Sequence, residues 1–433
     1  AVLVALDAVT GKEIWTATVE DNKKGYYLTG APVVADNKVM VGVSGGEWGI
    51  RGFVAAFDVE TGKEAWRTFT IPAPGEPGSE TWPKGDEWKT GGGPTWVSGN
   101  YDASTNLLYW GVGNGGPWMG DLRPGDNLYT SSTIVMDASS GRIVGHFQYD
   151  PNESFDWDEV SPPLLVDYKR NGRTLTGLIN VGRDGYMFFL ERSHKGSVSF
   201  VDAKPYVLQT AFKAVDPKTG HVEYDPEHKP GVGKTVDFCP MYTGAKNWQP
   251  AAFNPKTRMI YIPTSANLCT TMTGLKPEYR PGSTYTGGRN TLFIAPGADH
   301  VGETQAWSVD TATKAWSYNF PTSANWGGLL TTASGLVFGG GTADRMFRAL
   351  DASTGQLLWQ MPTNSGVMGQ PSTFMIDGKQ YVAVMSGWGG DARGVQARLN
   401  GLRPGEFPEV PDGGALWVFT LPGDHLEPPA RIF

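Results

Sequence analysis

The chain of 433 residues has 58 glycines, 31 prolines, a formal charge of −8, 39% hydrophobic residues and 18% charged residues. So much apolar and so little charged sequence excludes a disordered chain. Glycine and proline in these numbers disfavour a helical bundle, because they cost about 1 and 3 kcal/mol in a helix interior. The acidic balance argues against nucleic acid as a partner, and no apolar run of about 18 residues predicts a transmembrane segment. The composition predicts an all-β protein.

One short pattern recurs along the chain. It reads Asp-x-x-Thr-Gly-x-x-x-Trp in ALDAVTGKEIW ending at Trp15, AAFDVETGKEAW ending at Trp66 and RALDASTGQLLW ending at Trp359, with weaker copies in IVMDASSGRIVGHF from Ile134 and AWSVDTATKAW ending at Trp316. Each copy predicts a strand, a tight turn and a second strand. The aspartate side chain accepts a hydrogen bond from the backbone two residues on, and the glycine supplies the left-handed corner.

Further predicted strands lie between the copies, in APVVADNKVMVGV, LLYWGVG, MIYIPTS and GLVFGGG. Trp15 and Trp66 are 51 residues apart, and Trp316 and Trp359 are 43 apart, near the ~40–50 residues of a four-stranded propeller blade. We therefore predict one catalytic domain over 1–433, a β-propeller in which about six or seven blades are traceable. Because the sequence opens inside a strand, we expect the N-terminal part of the propeller to be missing.

Two short patterns suggest other chemistry and are set aside. Gly42 to Gly46 fits the G-x-S-x-G nucleophile elbow, but that motif needs a helix after the serine, and a strand is predicted here. Gly111 to Gly116 fits the G-x-G-x-x-G dinucleotide fingerprint, but Pro117 and Pro124 disfavour the helix that would bind the pyrophosphate. Neither H-E-x-x-H nor C-x-x-C-H occurs. The remaining possibility is a site for a hard cation built from oxygen ligands.

Seven blocks in a single order along the chain resemble the pyrroloquinoline-quinone (PQQ)-dependent alcohol dehydrogenases, the quinoproteins that include methanol dehydrogenase. The blocks are GVSGGEWGIRGFVAAFD from Gly42, TWVSGNYD from Thr95, YWGVGNGGPW from Tyr109, DWDEV from Asp156, GRDGYMFFLER from Gly182, CPMYTGAKNWQPAAFNPKT from Cys239 and ANWGGLLTTASGLVFGGGTADRMFRALDASTGQLLW from Ala324. The resemblance implies an eight-bladed propeller with PQQ and Ca2+ that oxidises primary or secondary alcohols, including sugars or polyols, to aldehydes or ketones.

The resemblance also assigns the reacting residues. It places the calcium ligands on Glu47, Asn114 and Asp158, and it makes Asp158 the catalytic base. Carboxylate and amide oxygens are the ligands that a hard divalent ion prefers. It places Arg183 on the quinone oxygens, where a guanidinium stabilises negative charge. The alternatives are solvated loop residues for Glu47 and Asn114, and a salt bridge to a carboxylate at a blade end for Arg183.

Cofactor and substrate contacts follow from the same resemblance. Trp96 would stack on the flat cofactor, and Trp118 and Trp388 would line the alcohol pocket, although tryptophans in blade packing are the alternative. Further cofactor contacts are assigned to Thr29, Ser44, Gly45, Gly46, Asn247, Trp326 and Trp388.

Cys239 and Cys269 are 30 residues apart and match a family disulfide. A disulfide suits an oxidising compartment, and the family is periplasmic. We therefore predict a periplasmic protein, the alternative being two buried thiols in a cytosolic one.

The sequence departs from the family pattern in three ways, and each departure leads to a prediction. The family's adjacent cysteine pair and two upstream cofactor contacts are absent, and we expect them before Ala1. Val160 stands two residues after Asp158, where lanthanide-using members have an extra aspartate, which favours calcium. No cytochrome c domain follows the strand GGALWVFTLPG, so electrons would pass to a soluble cytochrome c or another acceptor. The competing functions are a non-catalytic propeller scaffold for protein interactions, or the same chemistry on polyvinyl alcohol, an aldose or an aldehyde.

Overall fold

The computed structural model of the protein describes residues 1–421, which are mostly β. They form two compact units. The first consists of Ala1–Trp248, Ser265–Asp299 and Val309–Ala312. The second consists of Gln249–Thr264, His300–Ser308 and the chain from Thr313 onward. Among the described residues, no helix is long and apolar enough to cross a bilayer.

The first unit begins with a two-stranded sheet followed by two four-stranded antiparallel sheets. Their strands are Val2–Leu6 and Glu13–Thr18; then Val33–Ala35, Lys38–Gly42, Phe53–Asp58 and Glu64–Phe69; then Asn100–Asp102, Leu107–Val112, Ser132–Asp137 and Ile143–Gln148. In both larger sheets each strand pairs with the next along the chain, the up-and-down order of a propeller blade.

The rest of the first unit contains two three-stranded sheets and two hairpins. The sheets are Gly177–Val181, Tyr186–Arg192 and Val198–Pro205, and Thr235–Phe238, Leu268–Gly274 and Gly288–Ile294; the hairpins are Tyr168–Arg170 with Arg173–Leu175, and Phe212–Val215 with Val222–Tyr224. Short 3-10 turns occur at Asn22–Lys24, Gly46–Trp48, Ser79–Thr81, Glu87–Thr90 and Gly120–Leu122.

The second unit has two four-stranded sheets and one of three strands. Their strands are Ala252–Asn254, Met259–Ser265, Gly302–Ser308 and Thr313–Phe320; then Leu330–Thr331, Leu336–Gly339, Met346–Asp351 and Leu357–Pro362; then Ser372–Ile376, Lys379–Ser386 and Ala415–Thr420. The helix Gly390–Leu402 interrupts the last sheet and buries Ala392, Val395 and Leu399 on one face, as their spacing of three and four residues dictates.

The recurring turn forms as its residues predict. Asp58 Oδ1 accepts hydrogen bonds from the backbone N of Thr61 at 2.8 Å and of Glu60 at 3.2 Å. Gly62 completes the turn with φ of 69°, a left-handed value that favours glycine. The same turn occurs at Asp216, in DPKTG, a copy that the repeat search missed because its neighbouring strands lack the tryptophan.

The repeated tryptophan connects successive sheets. Trp15 Nε1 donates to the carbonyl oxygen of Val59 at 3.0 Å, directly after the aspartate of the next copy. Trp66 makes the equivalent bond to Ala138 at 3.1 Å, as does Trp316 to Ala352 in the second unit. A Cβ on Gly62 would lie 2.6 Å from the Trp15 ring, so the turn glycine also makes room for the tryptophan. The predicted all-β class and its four-stranded sheets are confirmed.

The cysteine pairing is also confirmed. Cys239 and Cys269 form a disulfide. It joins the end of the strand Thr235–Phe238 to the neighbouring strand Leu268–Gly274. Both cysteines are buried but bonded to each other, so the alternative of two free thiols is excluded.

Candidate active site

Asp158 is the centre of the candidate site in the first unit. Its side chain is about 4% exposed and accepts hydrogen bonds from three residues. Oδ2 accepts from Arg183 Nη1 at 2.7 Å and from Trp96 Nε1 at 2.8 Å. Oδ1 accepts from the backbone N of Asn114 at 2.7 Å. The structure thus brings together four residues from four separate blocks of the sequence.

Arg183 is fixed by the turn that joins the strands Gly177–Val181 and Tyr186–Arg192. Its backbone N donates to Glu159 Oε1 at 2.8 Å, and its Nε donates to the carbonyl oxygen of Thr243 at 3.2 Å. Arg183 does form a salt bridge to a carboxylate, as its alternative role predicted, and the partner is Asp158, itself a predicted site residue. The salt bridge therefore keeps Arg183 within the candidate site.

Asn114 follows the buried strand Leu107–Val112 and is itself fully buried. With the amide oriented to satisfy both neighbours, Nδ2 donates to Asp158 Oδ1 at 2.9 Å, and Oδ1 accepts from Trp118 Nε1 at 3.0 Å. Trp118, predicted for the alcohol pocket, therefore lies against Asn114. The solvated-loop interpretation of Asn114 is not compatible with its burial.

Glu47 lies in the 3-10 turn Gly46–Trp48, and two glycines bring this turn against the site. Gly45 has φ of 124°, and a Cβ there would lie 1.9 Å from the carbonyl oxygen of Gly25. A Cβ on Gly46 would lie 3.1 Å from the side-chain amide of Asn114. A larger residue before Glu47 would therefore press against Asn114.

Asp156 is a site residue that the sequence analysis did not select. It is buried, has φ of 73°, and its Oδ1 has no hydrogen-bond partner. Burial raises the pKa of Asp156 well above its usual range; Arg183 opposes this, and the carboxylates of Glu47 and Asp158 add to it. The signal available in the sequence was the Asp-x-Asp spacing of Asp156 and Asp158.

Three further predicted residues lie in the first unit with this centre. Thr29 Oγ1 donates to the carbonyl oxygen of Trp96 at 3.0 Å. Asn247 Nδ2 donates to the carbonyl oxygen of Thr243 at 2.9 Å, the same atom that accepts from Arg183 Nε. Ser44 pairs through its backbone with Tyr27, and a turn rather than a helix follows it, as expected for a chain without a nucleophile elbow.

Trp326 and Trp388 belong to the second unit. Both are buried, at 1% and 8% exposed. The backbone N of Trp326 donates to the carbonyl oxygen of Gly341 at 2.7 Å, and the ring of Trp388 packs against Gly366. Their assignment to the cofactor and the alcohol pocket stays a prediction.

A second group of carboxylates lies beside the first. Asp150, Glu159 and Asp184 are fully buried and each offers an oxygen within 4.8 Å of the others, a spacing that can hold a metal ion. Glu159 and Asp184 directly follow Asp158 and Arg183 in the sequence. This group is not recognisable in the sequence, because its members are distributed over 35 residues without a motif.

Comparison with known proteins identifies the family. The profile of the family described as "PQQ: Glucose/ethanol/alcohol dehydrogenase, beta-propeller domain" matches residues 17–205 and 295–382. Quinoprotein alcohol dehydrogenase PedH of Pseudomonas putida is 35% identical over 98% of this chain and 73% of its own. Quinohemoprotein alcohol dehydrogenase of Comamonas testosteroni is 38% identical over 98% of this chain.

The fold comparison agrees. A solved structure described as "Europium-containing methanol dehydrogenase" superposes with a TM-score of 0.89 at 33% identity, over 97% of this chain and 78% of that one. The chain spans only 61% of the length of the Comamonas enzyme. The family profile, the relatives above 30% identity and the shared fold show that the chain belongs to the PQQ-dependent alcohol dehydrogenases, oxidoreductases that act on CH-OH donors.

Proposed function

We propose that this protein oxidises primary or secondary alcohols, including sugars or polyols, to aldehydes or ketones, using PQQ and one hard metal ion at the Asp158 centre. The observation that carries the proposal is the pair of buried aspartates. Asp158 accepts hydrogen bonds from three residues, whereas Asp156 keeps an oxygen without a partner. A scaffold protein has no use for such a pair, because unpaired buried carboxylates are costly.

The residues present fit a hard cation. Glu47 and Asp158 supply carboxylate oxygens and Asn114 supplies an amide oxygen, the ligand atoms that a hard cation prefers. The carboxylates of Glu47 and Asp158 both raise the pKa of the buried Asp156, so three acidic groups lie close together and favour a compensating cation. We propose that Glu47, Asp158 and Asn114 hold the ion and that Asp156 lies beside it.

The residues also fit PQQ, which when bound supplies a two-electron acceptor for the hydride of the alcohol. Trp96 offers a rigid ring whose orientation is fixed by its bond to Asp158 and by the bond from Thr29. Arg183 supplies positive charge for the quinone oxygens. Ser44, Gly45, Gly46, Asn247, Trp326 and Trp388 remain the further proposed contacts.

We propose that Asp156, rather than Asp158, takes the hydroxyl proton of the alcohol. A general base needs an oxygen that is not occupied by donors. Both oxygens of Asp158 are occupied, by Asn114, Trp96 and Arg183. Asp158 then acts as an oriented ligand of the ion, while Oδ1 of Asp156 is available to accept the proton.

This division affects the choice of metal. With Asp158 as base, Val160 favours calcium, as the sequence indicates. Lanthanide-using members have their extra aspartate two residues after the catalytic base. If Asp156 is the base, that position is Asp158. Three carboxylates around one ion also suit a trivalent better than a divalent charge. We therefore propose a lanthanide as the preferred ion, with calcium as the alternative.

The remaining features of the proposal rest on the family. We propose a single eight-bladed propeller, a periplasmic location consistent with the Cys239–Cys269 disulfide, and a cytochrome c or similar protein as electron acceptor.

Reconstitution tests the function directly. Purified protein is mixed with PQQ and either La3+ or Ca2+, and reduction of an artificial dye is followed with a panel of alcohols, sugars and polyols. Turnover that requires both the quinone and the ion supports the proposal. A protein that leaves the absorption spectrum of PQQ unchanged and does not retain it on gel filtration would instead be a scaffold.

A further inference from the structure

The carboxylates of Asp150, Glu159 and Asp184 form a fully buried group apart from the proposed catalytic ion. Each is 0% exposed, and their oxygens lie within 4.8 Å of one another. Glu159 is held in place, because Oε1 accepts from the backbone N of Arg183 at 2.8 Å and Oε2 accepts from Asn180 Nδ2 at 2.6 Å. The group therefore has a fixed geometry on one side.

The other side of the group has oxygens without donors. Both carboxylate oxygens of Asp150 and Oδ2 of Asp184 make no hydrogen bond of good geometry; the Tyr224 hydroxyl is the donor near Asp150, and it too is unpaired. Asn180 adds a fourth such atom: it is fully buried, its amide lies against Glu159, and its Oδ1 has no partner either. Buried polar atoms in native proteins are almost always paired, so unpaired acceptors on Asp150, Asp184 and the adjoining Asn180 favour a positively charged partner.

The neighbouring cations of the protein make their hydrogen bonds elsewhere, although the charge of Lys246 opposes the rise that burial causes in the pKa of Glu159 and so offsets one of the three carboxylates. Lys246 is buried, and its Nζ donates to Ser161 Oγ at 2.7 Å and to the carbonyl oxygen of Asn247 at 3.2 Å. Arg183 Nη1 donates to Asp158. Taking charges out of water is costly unless they are compensated, and these contacts leave a requirement for positive charge among the three carboxylates.

The spacing suits a hard cation. Oxygens on opposite sides of a calcium ion lie about 4.8 Å apart, twice the usual Ca–O distance of about 2.4 Å. Gly182 keeps the space open, because a Cβ there would lie 2.3 Å from Asp184 Oδ1 and 2.9 Å from Glu159 Oε2. All four unpaired atoms are oxygens, and oxygen ligands favour a hard metal ion over a soft one.

We propose that Asp150, Glu159, Asp184 and Asn180 form a second site for Ca2+ or a lanthanide ion, additional to the ion at Asp158. Glu159 and Asp184 adjoin Asp158 and Arg183 in the chain, so this ion fixes the two peptide segments that carry the catalytic ion pair. Its role is to position those residues. The proposal does not depend on the alcohol dehydrogenase chemistry, because the site is recognised by its own oxygens.

Metal counting tests the proposal. The protein is purified in Ca2+, freed of loose ions by gel filtration and measured by plasma mass spectrometry. We expect the double variant Asp150→Asn/Asp184→Asn to hold one ion fewer per chain than the wild type, whether or not Ca2+ fills the Asp158 centre. A matched control, Asp86→Asn/Glu278→Gln, removes two exposed charges and keeps the wild-type count. The same count in Asp150→Asn/Asp184→Asn as in the wild type would overturn the proposal.

A second measurement covers the case in which the double variant does not fold. Glu47→Gln impairs only the catalytic ion site, and terbium titration of its chelator-treated form, without PQQ, reports the remaining site through Tb3+ luminescence. We expect one saturating equivalent of Tb3+. The circular dichroism spectrum shows whether this variant is folded as the wild type is. A folded variant without Tb3+ luminescence would mean that the three carboxyl groups are neutralised by protons and do not bind an ion. This outcome leaves the proposed alcohol oxidation untouched, so the two proposals fail separately.

Discussion

Arg183 Nη1 and Asp158 Oδ2 lie 2.7 Å apart, and both side chains are almost completely buried. A buried ion pair is weak evidence for stability, because desolvation offsets much of the attraction. Its value lies in geometry: Arg183 and Trp96 together hold Oδ2, so that Oδ1 points at Asn114. The pair thus fixes the orientation of the carboxylate in which we propose the ion is held.

The two aspartates should respond differently to amidation. Asp156→Asn removes the proposed base, and turnover should fall by about 10²–10⁴-fold, while PQQ and the ion remain bound. Asp158→Asn should lower the affinity for the ion, because one carboxylate ligand is lost. Steady-state dye reduction and metal content of the same preparations distinguish them. If Asp158→Asn retains ion and quinone but does not turn over, and Asp156→Asn is active, Asp158 is the base.

Turnover of protein reconstituted with different metal ions identifies the preferred ion. Chelator-treated protein with PQQ should turn over alcohol faster with La3+ than with Ca2+, because three carboxylates compensate the higher charge. Asp158→Ala removes one of them, so the preference for La3+ should fall or reverse. Equal rates with both ions in the wild type, or a higher rate with Ca2+, would support the calcium site that Val160 suggests.

More of the fold than of the candidate site can be predicted from the sequence. The Asp-x-x-Thr-Gly turn is local: Asp58 binds the backbone of Glu60 and Thr61 within the same few residues, so its pattern can be recognised without coordinates. The bond from Trp15 to Val59 joins successive copies, and the repeat itself reveals it. Seven blocks in order likewise point to one family.

The roles of Asp156 and Asp158 could not be separated in the same way. The two residues are identical in type and two positions apart, and they differ only in partners supplied by distant segments. Trp96 and Arg183 reach Asp158 from 62 and 25 residues away. The group of Asp150, Glu159 and Asp184 has no local signature at all, since only the packing of the strands brings it together.

Arg123 is predicted to stabilise the segment that carries Asn114 and Trp118. It is fully buried, its Nε donates to the carbonyl oxygen of Pro117 at 2.9 Å, and its Nη1 donates to Asn127 Oδ1 at 2.6 Å. Arg123→Met leaves these acceptors unpaired and should lower the free energy of unfolding by about 3–5 kcal/mol.

Urea unfolding at constant pH measures the effect of Arg123→Met, with Arg173→Met as the matched control. The Arg173 side chain is 72% exposed, and its replacement should change stability by no more than about 0.5 kcal/mol. Similar values for both variants would show that the buried guanidinium is not required to hold this segment.

Glu153 should make stability depend on pH. It is fully buried, and burial raises its pKa from 4.5 to about 7, although Arg123 and the backbone N of Trp157 act in the opposite direction. Between these values the folded protein keeps the proton that the unfolded chain has lost. The stabilisation is therefore complete below pH 4.5 and is lost as the pH rises through about 7, a total of roughly 3 kcal/mol.

Glu153→Gln separates this contribution from that of the other buried acids. The amide oxygen can still accept from the backbone N of Phe155 and of Trp157, so the fold is retained, but the side chain no longer titrates. Urea unfolding between pH 5 and pH 8 should show a smaller decline in stability with rising pH in Glu153→Gln than in the wild type. Parallel curves for the two proteins would mean that Glu153 is ionised in the folded state, as it is in the unfolded chain, throughout this range.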